Sequence, residues 1–319
     1  MSLHKKVNPF SKQNNDTGFA SNNSDTGGRF LNKDGSYNLR KEGMSFFKRF
    51  SIFHDMLNLS VWKFMLVIVV FFIAINLIFA CIYFCFGAGE FDGLIAGGDW
   101  KIFRQLFYFS MQTLTTVGYG HVSPVGDGVN MISGLESLSG FLSLAIATGL
   151  IYGRFSKPRS YLAFSEMALV SPYKDITGLM FRFASYKDMH TLSDLEIKVN
   201  LGLQVLENDK PVYKYFSLSL ERSKVESMAM SWTVVHPIDE TSPLKDFTEE
   251  DMKNGDVEIY VMLRGFDDVF SNFVQQRTSY TYNEILFNRK FVPMFHESAD
   301  GNTTVLELHK LNVHKEVTT

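Results

Sequence analysis

One short run of residues has the types and spacing to coordinate a bare cation: Thr115-Thr116-Val117-Gly118-Tyr119-Gly120. An extended backbone here can point its carbonyl oxygens to one side, and a ring of such oxygens can replace the water shell of a dehydrated potassium ion. Gly118 and Gly120 allow backbone angles that other residues resist. The run therefore predicts a potassium-selective filter, with ion sites at the carbonyl oxygens of Thr116, Val117, Gly118 and Tyr119 and at the Thr116 hydroxyl.

The setting of this run makes it more specific than a lone Gly-Tyr-Gly, which is common in turns and strands. It follows a hydrophobic stretch at 99–114 that is too short to cross a bilayer, and it lies between two longer apolar runs. Irregular backbone at membrane depth is tolerated where it lines an aqueous path. One chain supplies a quarter of a filter ring, so the run also predicts a homotetramer around a four-fold axis.

The flanking elements follow from the placement of charge. No Asp, Glu, Lys or Arg occurs from Phe64 to Gly89 or from Ser137 to Gly153. The first apolar run exceeds the roughly 20 residues that span a bilayer. We expect a transmembrane pore domain at 61–156, in which an outer helix at 62–86, a pore helix at 99–114, the filter at 115–120 and an inner helix at 129–155 follow one another.

Flanking cations indicate the orientation of the two spans. Residues 1–63 carry 10 Lys and Arg against 5 acids, whereas the loop at 87–130 has 2 cations against 4 acids. Cytoplasmic flanks are enriched in cations. Both termini are therefore expected in the cytoplasm of a multi-pass protein of the cell (inner) membrane.

The rest of the chain divides into three segments. Residues 1–43 are rich in Ser, Asn and Gly between 11 and 28 and are expected to form a disordered cytoplasmic tail. An amphipathic pattern predicts an interfacial slide helix at 44–60. Alternating apolar and polar residues with turn signals predict a cytoplasmic β-sandwich at 157–319, with candidate strands at 195–206, 212–220, 257–263, 287–295 and 303–311.

Composition excludes several other functions. An isoelectric point near 6.2 and a net charge of −3 give no basic field for nucleic acid. The two cysteines, Cys81 and Cys85, lie within the first span, where a disulfide or metal site is not expected. No phosphate-binding glycine loop or metal-ligand spacing occurs. We therefore expect neither an enzyme nor a cofactor, with potassium as the permeant ion.

One face of the inner helix leads from the filter toward the cytoplasm. Leu144, Thr148 and Tyr152 are spaced by four residues and share that face. They are candidates for the pore cavity and gate, and helix packing is the alternative. Glu136 is an intramembrane acid, which makes it a functional candidate; the alternative is that it supports the filter from behind. His121 follows the filter and is either a pH-tuning group or a solvated residue of the outer mouth.

Further motifs resemble those of the inward-rectifier potassium channels, most closely their prokaryotic KirBac branch. The resemblance covers about residues 45–310. Besides the filter, it rests on the inner-helix stretch 136–150 with the basic exit 154–159, on LMFR at 179–182, on HPIDETSPL at 236–244, and on SY at 279–280 with NEIL at 283–286.

The resemblance implies an immunoglobulin-like sandwich that extends the pore, a gate at Tyr152 and a hinge at Gly140. Leu144 stands where strongly rectifying relatives carry an acid that holds magnesium or polyamines, so rectification is expected to be weak. The loop from Gly265 corresponds to a cytoplasmic constriction, to which Asp267 and Asp268 either lend cation-attracting charge or add a solvated turn.

Four cations align with the sites at which relatives bind anionic phospholipid or phosphoinositide: Lys63, Arg154, Lys157 and Arg159. Cations beside an interface attract lipid phosphates, although positive-inside topology accounts for the same charges. The resemblance also shows one departure, since Gln112 stands where many relatives have a pore-helix glutamate.

The sequence thus predicts a potassium-selective, inward-rectifier-type channel that is gated by its inner helices and its β-domain and is modulated by anionic lipid. A poorly selective cation channel is the nearest alternative. A membrane-anchored ligand-binding protein is the alternative from another class.

Overall fold

The chain forms two compact units. The computed structural model describes residues 7–14, 29–45, 51–188, 190–207, 210–228 and 230–317. Glu42–Lys157 make up a helical unit, and Met1–Lys41 together with Pro158–Thr319 make up a β unit. The helical unit is therefore inserted into the chain of the β unit.

The described residues of the helical unit form four α-helices: α1 (Ile52–Asn58), the outer helix α2 (Val61–Phe86), the pore helix α3 (Asp99–Leu114) and the inner helix α4 (Asp127–Phe155). The outer and inner helices are long and apolar enough to cross a membrane. A short antiparallel pair, β1 (Phe91–Asp92) and β2 (Ser123–Pro124), joins the segments before and after the pore helix and filter.

Within the described part of the slide helix expected at 44–60, the chain is helical over Ile52–Asn58. Residues 46–50 lie outside the described residues. Ser51 and Leu59, with ψ angles of 103° and 152°, have extended backbone and bound α1 on both sides. The outer helix ends at Gly87, whose φ of +94° favours glycine.

Aromatic side chains pack the pore helix against the outer helix. The rings of Tyr83, Phe91 and Phe109 contact one another edge to face, with centroids 5.2–5.6 Å apart. Such pairs add about 0.5–1.5 kcal/mol each beyond the burial of their surface. This cluster fixes the pore helix against the outer helix and the residues that follow it.

The β unit contains fourteen strands in its described residues and one short helix, α5 (Glu249–Asn254). The strands are β3 (Leu162–Phe164), β4 (Ala168–Tyr173), β5 (Ile176–Ser185), β6 (Leu192–Glu207), β7 (Lys210–Leu218), β8 (Lys224–Met228), β9 (Ser231–Ile238), β10 (Glu258–Asp267), β11 (Asn272–Thr281), β12 (Ile285–Phe287), β13 (Arg289–Phe291), β14 (Phe295–Glu297), β15 (Thr304–Leu306) and β16 (His314–Glu316).

Two five-stranded sheets enclose one core. The first has the order β11-β10-β6-β7 with β8 also paired to β6, and the second has the order β12-β4-β5-β3 with β9 paired to β5. Only the β12–β4 pair among these is parallel in the described residues. Inward-facing residues of both sheets, such as Phe181, Ile197 and Ile259, belong to one buried cluster. The expected β-sandwich following two spans and a pore helix is confirmed.

Two of the strands expected from the sequence are longer than the strands in the structure. The stretch at 287–295 is divided among β12, β13 and β14, because Asn288 has a φ of +54° and Pro293 has no amide to donate to a ladder. The stretch at 303–311 contains only β15 and then a helical turn at Leu308–Lys310.

Part of the segment expected to be disordered packs on the β unit, so that expectation is wrong for these residues. Leu31 is buried among Tyr213, Tyr215 and Tyr260, and its amide and that of Phe30 donate to the Glu258 carboxylate. Farther toward the N terminus, residues 12–14 pair with the edge of β7. Residues 1–6 and 15–28 lie outside the described residues.

A buried arginine holds the last part of the chain. Arg182 donates hydrogen bonds to the carbonyl oxygens of Val292, Lys310 and Leu311, and its guanidinium lies 4.4 Å from the ring centroid of Phe291. Burial lowers the pKa of Arg182 to about 10. The arginine of the LMFR motif therefore attaches the C-terminal strands to the sandwich.

Candidate functional site: a backbone filter and its supports

The segment after the pore helix alternates its backbone handedness. Thr116, Gly118 and Gly120 have φ angles of +60°, +51° and +75°. A β-branched residue with positive φ is an outlier that costs about 1–3 kcal/mol and is typical of functional sites. The alternation turns successive peptide groups toward the same side, which the sequence alone could suggest only for the glycines.

Amide groups of this segment bond back to the pore helix. The amides of Val117 and Gly118 donate to the Gln112 carbonyl oxygen at 2.9 and 3.3 Å, and that of Thr116 donates to the Thr113 carbonyl oxygen at 3.1 Å. Within the described part of the chain, no carbonyl oxygen of residues 115–119 accepts a hydrogen bond. The segment thus offers a row of open oxygens on a backbone that the pore helix fixes.

The inner helix approaches the end of the pore helix closely at Gly140. A Cβ atom at Gly140 would lie 2.0 Å from the Leu114 carbonyl oxygen. Any side chain here would therefore push the pore helix and the filter away. Gly140 has a packing role in the structure, and its role as a hinge stays a prediction.

A cavity of about 330 Å³ lies beside residues 114–116, between the outer and inner helices. Its lining includes Thr115, Thr116, Gly140 and Leu144. Leu144 is 68% exposed and Tyr152 is 73% exposed in the single chain, and Thr148 is exposed on the same face. The structure brings Leu144 next to Thr115 and Thr116, and it leaves the side chains of Thr148 and Tyr152 exposed in the single chain.

The cations expected to bind lipid are divided between the units. Arg154 lies over the Phe64 ring at 5.2 Å, and its Nη1 atom is buried with no hydrogen-bond partner among the described residues. Lys157 Nζ donates to Asn58 Oδ1 at 3.0 Å, and Lys63 is exposed at the start of the outer helix. Arg159 belongs to the β unit.

Two details expected of the loop from Gly265 differ in the structure, and the cytoplasmic constriction itself stays a prediction. Gly265 lies within β10, at a shift in the ladder with β6, rather than at the start of a loop. Asp267 is fully buried because its carboxylate accepts from the amides of Val269 and Phe270 and contacts His190 Nε2 at 3.1 Å. Asp267 therefore presents no charge to solvent, whereas Asp268 is exposed.

The buried polar side chains around Glu136 are only partly predictable from the sequence. Glu136 has no exposed surface, and it contacts Tyr83 of the outer helix and Ser110 of the pore helix. Ser110 in turn contacts Asn76. The sequence marks Glu136 as a buried acid, but a serine and a tyrosine in apolar helices carry no signal that they are its partners.

The motifs of the β unit have structural roles. His236 contacts the Ser219 carbonyl oxygen and Ser242 Oγ, and burial lowers the pKa of His236. Glu284 of the NEIL motif pairs with Arg29 at 3.0 Å and with Lys33 at 3.2 Å. Both motifs therefore fix loops or the N-terminal segment. In the described residues, no group of His, Cys, Asp and Glu could hold a metal ion.

Known ion channels match this chain over most of its length. The profile of the inward rectifier potassium channel C-terminal domain matches residues 162–319, and an ion channel profile matches residues 59–157. The chain is 32% identical over 288 residues to the inward rectifier potassium channel Kirbac3.1 of Paramagnetospirillum magnetotacticum, which covers 89% of this chain and 95% of the relative.

Animal relatives are also similar. The ATP-sensitive inward rectifier potassium channel 12 of Mus musculus is 28% identical over 297 residues, covering 84% of this chain and 68% of the relative. Its Homo sapiens counterpart is 28% identical, covering 84% and 67%. These relatives are ion channels and not enzymes. With two spans, a pore helix, a β-sandwich and this identity to Kirbac3.1, the chain belongs to the inward-rectifier potassium channel family, in its prokaryotic KirBac-type branch, and is a membrane protein.

Proposed function

We propose that four copies of this chain form a potassium-selective pore, with residues 115–120 of each copy around a common four-fold axis. The observation that carries the proposal is the alternation of positive φ angles at Thr116, Gly118 and Gly120, which leaves carbonyl oxygens unpartnered. Four such rows can replace the water shell of a potassium ion. A ring of this kind requires a closed cyclic assembly.

Conduction follows from the chemistry of these oxygens. The carbonyl groups of residues 116–119 and the Thr116 hydroxyl bind the dehydrated ion, and several sites in a row let one ion displace the next. Because the amides are bonded to Gln112 and Thr113, the carbonyl oxygens need little rearrangement when an ion arrives.

A filter of this kind should conduct potassium in preference to sodium. In liposomes with potassium on one side and sodium on the other, the reversal potential should follow the potassium gradient, because the filter oxygens hold potassium better than sodium. The measurement is the reversal potential in mixed gradients of purified, reconstituted protein. Equal permeability for both ions would instead support the poorly selective cation channel.

Gating is proposed to occur on the inner-helix face of Leu144, Thr148 and Tyr152. Tyr152 is 73% exposed in the single chain, so four copies can meet at the axis and close the path by dewetting. With a leucine at 144, no carboxylate holds magnesium or polyamines there, so rectification is weak. Flanking cations support a cytoplasmic location of both termini and of the β unit.

Anionic lipid is the proposed regulator, bound by Lys63, Arg154, Lys157 and Arg159. Arg154 Nη1 is buried and has no hydrogen-bond partner in the described parts of the chain. This supports the proposal, since a phosphate oxygen would satisfy it. A cation near an anionic surface contributes about 1 kcal/mol. Replacing both Lys157 and Arg159 by glutamine should therefore weaken the response to anionic lipid by about 2 kcal/mol, or about thirtyfold.

This lipid prediction is measured as flux against the mole fraction of anionic lipid. The matched control replaces Lys174 and Lys198 by glutamine, because both are exposed in the β unit and the change in charge is the same. An unchanged lipid titration in the first pair would leave membrane topology as the role of those cations.

A further inference from the structure

Four polar side chains from three helices form a cluster inside the helical unit. Asn76 and Tyr83 come from the outer helix, Ser110 from the pore helix and Glu136 from the inner helix, and all four are completely buried. A carboxyl group buried among membrane-spanning helices is costly unless its oxygens have partners, and such groups mark functional sites.

The contacts of the cluster form a chain. The Tyr83 hydroxyl donates to Glu136 Oε2 at 2.5 Å. Glu136 Oε1 contacts Ser110 Oγ, which lies 3.0 Å from Asn76 Oδ1. At the far end, Asn76 Nδ2 donates to the Phe72 carbonyl oxygen at 2.7 Å.

Counting protons along this chain assigns the state of Glu136. The bond to the Phe72 carbonyl oxygen requires the Asn76 amide nitrogen on that side, so Asn76 Oδ1 faces Ser110 and can only accept. The Ser110 hydroxyl has one proton but faces three acceptors: the Asn76 carbonyl oxygen, Asn76 Oδ1 and Glu136 Oε1. A carboxylate at 136 would compete with Asn76 for that proton and leave one of these contacts without a hydrogen. A carboxylic acid brings a second proton, so that Glu136 can donate to Ser110 while Ser110 donates to Asn76.

We infer that Glu136 is a neutral acid that donates to Ser110 and thereby positions the pore helix behind the filter. Glu136 and Gly140 are one turn apart on the inner helix, and they meet Ser110 and Leu114, one turn apart on the pore helix. Between these two contacts lies Gln112, whose carbonyl oxygen holds the amides of Val117 and Gly118.

This geometry makes Glu136 a positioning residue for ion selectivity. If Ser110 loses its partner, the turn that carries the Gln112 carbonyl oxygen is no longer fixed, and the spacing of the filter oxygens relaxes. Selectivity depends on the number and placement of those oxygens. The inference rests on the proposed potassium conduction, and it adds a residue that does not touch the ion.

The experiment compares Glu136→Gln with Glu136→Ala and Ser110→Ala in purified, reconstituted tetramers. The glutamine amide can donate to Ser110 and its oxygen can accept from Tyr83, so Glu136→Gln should keep the wild-type potassium-over-sodium permeability ratio. Each alanine variant removes a buried partner and should lower the ratio about tenfold. The matched control is Ser133→Ala, since the Ser133 hydroxyl bonds within its own helix, to the Asn130 carbonyl oxygen.

A second readout does not depend on ion flux. The infrared C=O band of a protonated carboxyl group should be present in the wild type at neutral pH and lost in Glu136→Gln. A wild type that lacks potassium selectivity but keeps this band would overturn the proposed function and leave the neutral acid in place. Absence of the band, or a Glu136→Gln variant as unselective as Glu136→Ala, would overturn the neutral acid. Unchanged selectivity in folded Ser110→Ala tetramers would overturn the positioning role.

Discussion

Replacing Gly118 by aspartate is expected to abolish potassium flux. Gly118 has a φ of +51°, where a residue with a side chain costs about 1–3 kcal/mol in every subunit. Apart from its two neighbours in the chain, no described residue has an atom within 4 Å of a Cβ atom placed there, so the side chain would enter open space beside the carbonyl oxygens. Four aspartates around one axis would both distort the oxygen ring and bind cations too tightly for passage.

Tracer flux of potassium into liposomes measures this loss. The control is Gly89→Asp, which introduces the same side chain at an exposed glycine that also has open space around its Cβ position. That variant should conduct like the wild type. Unaltered flux through folded Gly118→Asp tetramers would refute the assignment of residues 115–120 as the filter.

Replacing Leu144 by aspartate should create a strong block by internal polyamines and magnesium. Leu144 lies close to Thr115 and Thr116 and is exposed on the helix face proposed to line the pore, so four carboxylates would surround the proposed ion path. A charged site with low-dielectric walls raises the local concentration of counter-ions by about 10- to 1,000-fold, and polyvalent cations gain most because each interacts with several carboxylates.

The measurement is the potassium current against internal spermine concentration at positive voltage. Leu144→Asn is the matched control, because asparagine has the shape of aspartate without its charge, and its sensitivity should stay close to that of leucine. If Leu144→Asp and Leu144→Asn are blocked equally, Leu144 does not face the ion path.

Local sequence signals were sufficient for the fold class. Long uncharged runs indicate membrane spans whatever the rest of the chain does, and alternation indicates sheets. The alternation of apolar and polar residues did not locate the strand boundary at Asn288. The alternating pattern continues through this residue, but its positive φ separates β12 from β13.

The parts of the site that the sequence missed depend on distant partners. Leu31 packs on the β unit because Glu258, 227 positions away, accepts a hydrogen bond from its amide, and the composition of the N-terminal segment gives no sign of that contact. Asp267 is buried because His190, 77 positions away, lies against it. The glutamate at 136 was visible as an anomaly, but its partners became identifiable only once three helices were in place.

The insertion of the helical unit into the chain of the β unit has a mechanical consequence. The two units are joined by two covalent connections, at residues 41–42 and at residues 157–158. The first leads through α1 to the outer helix, and the second continues directly from the inner helix. A displacement of the β unit would therefore be transmitted along the chain to both the outer and the inner helix of the same subunit. The proposed tetramer would have eight such connections. Cutting the chain before residue 42 would leave only the four that lead to the inner helices.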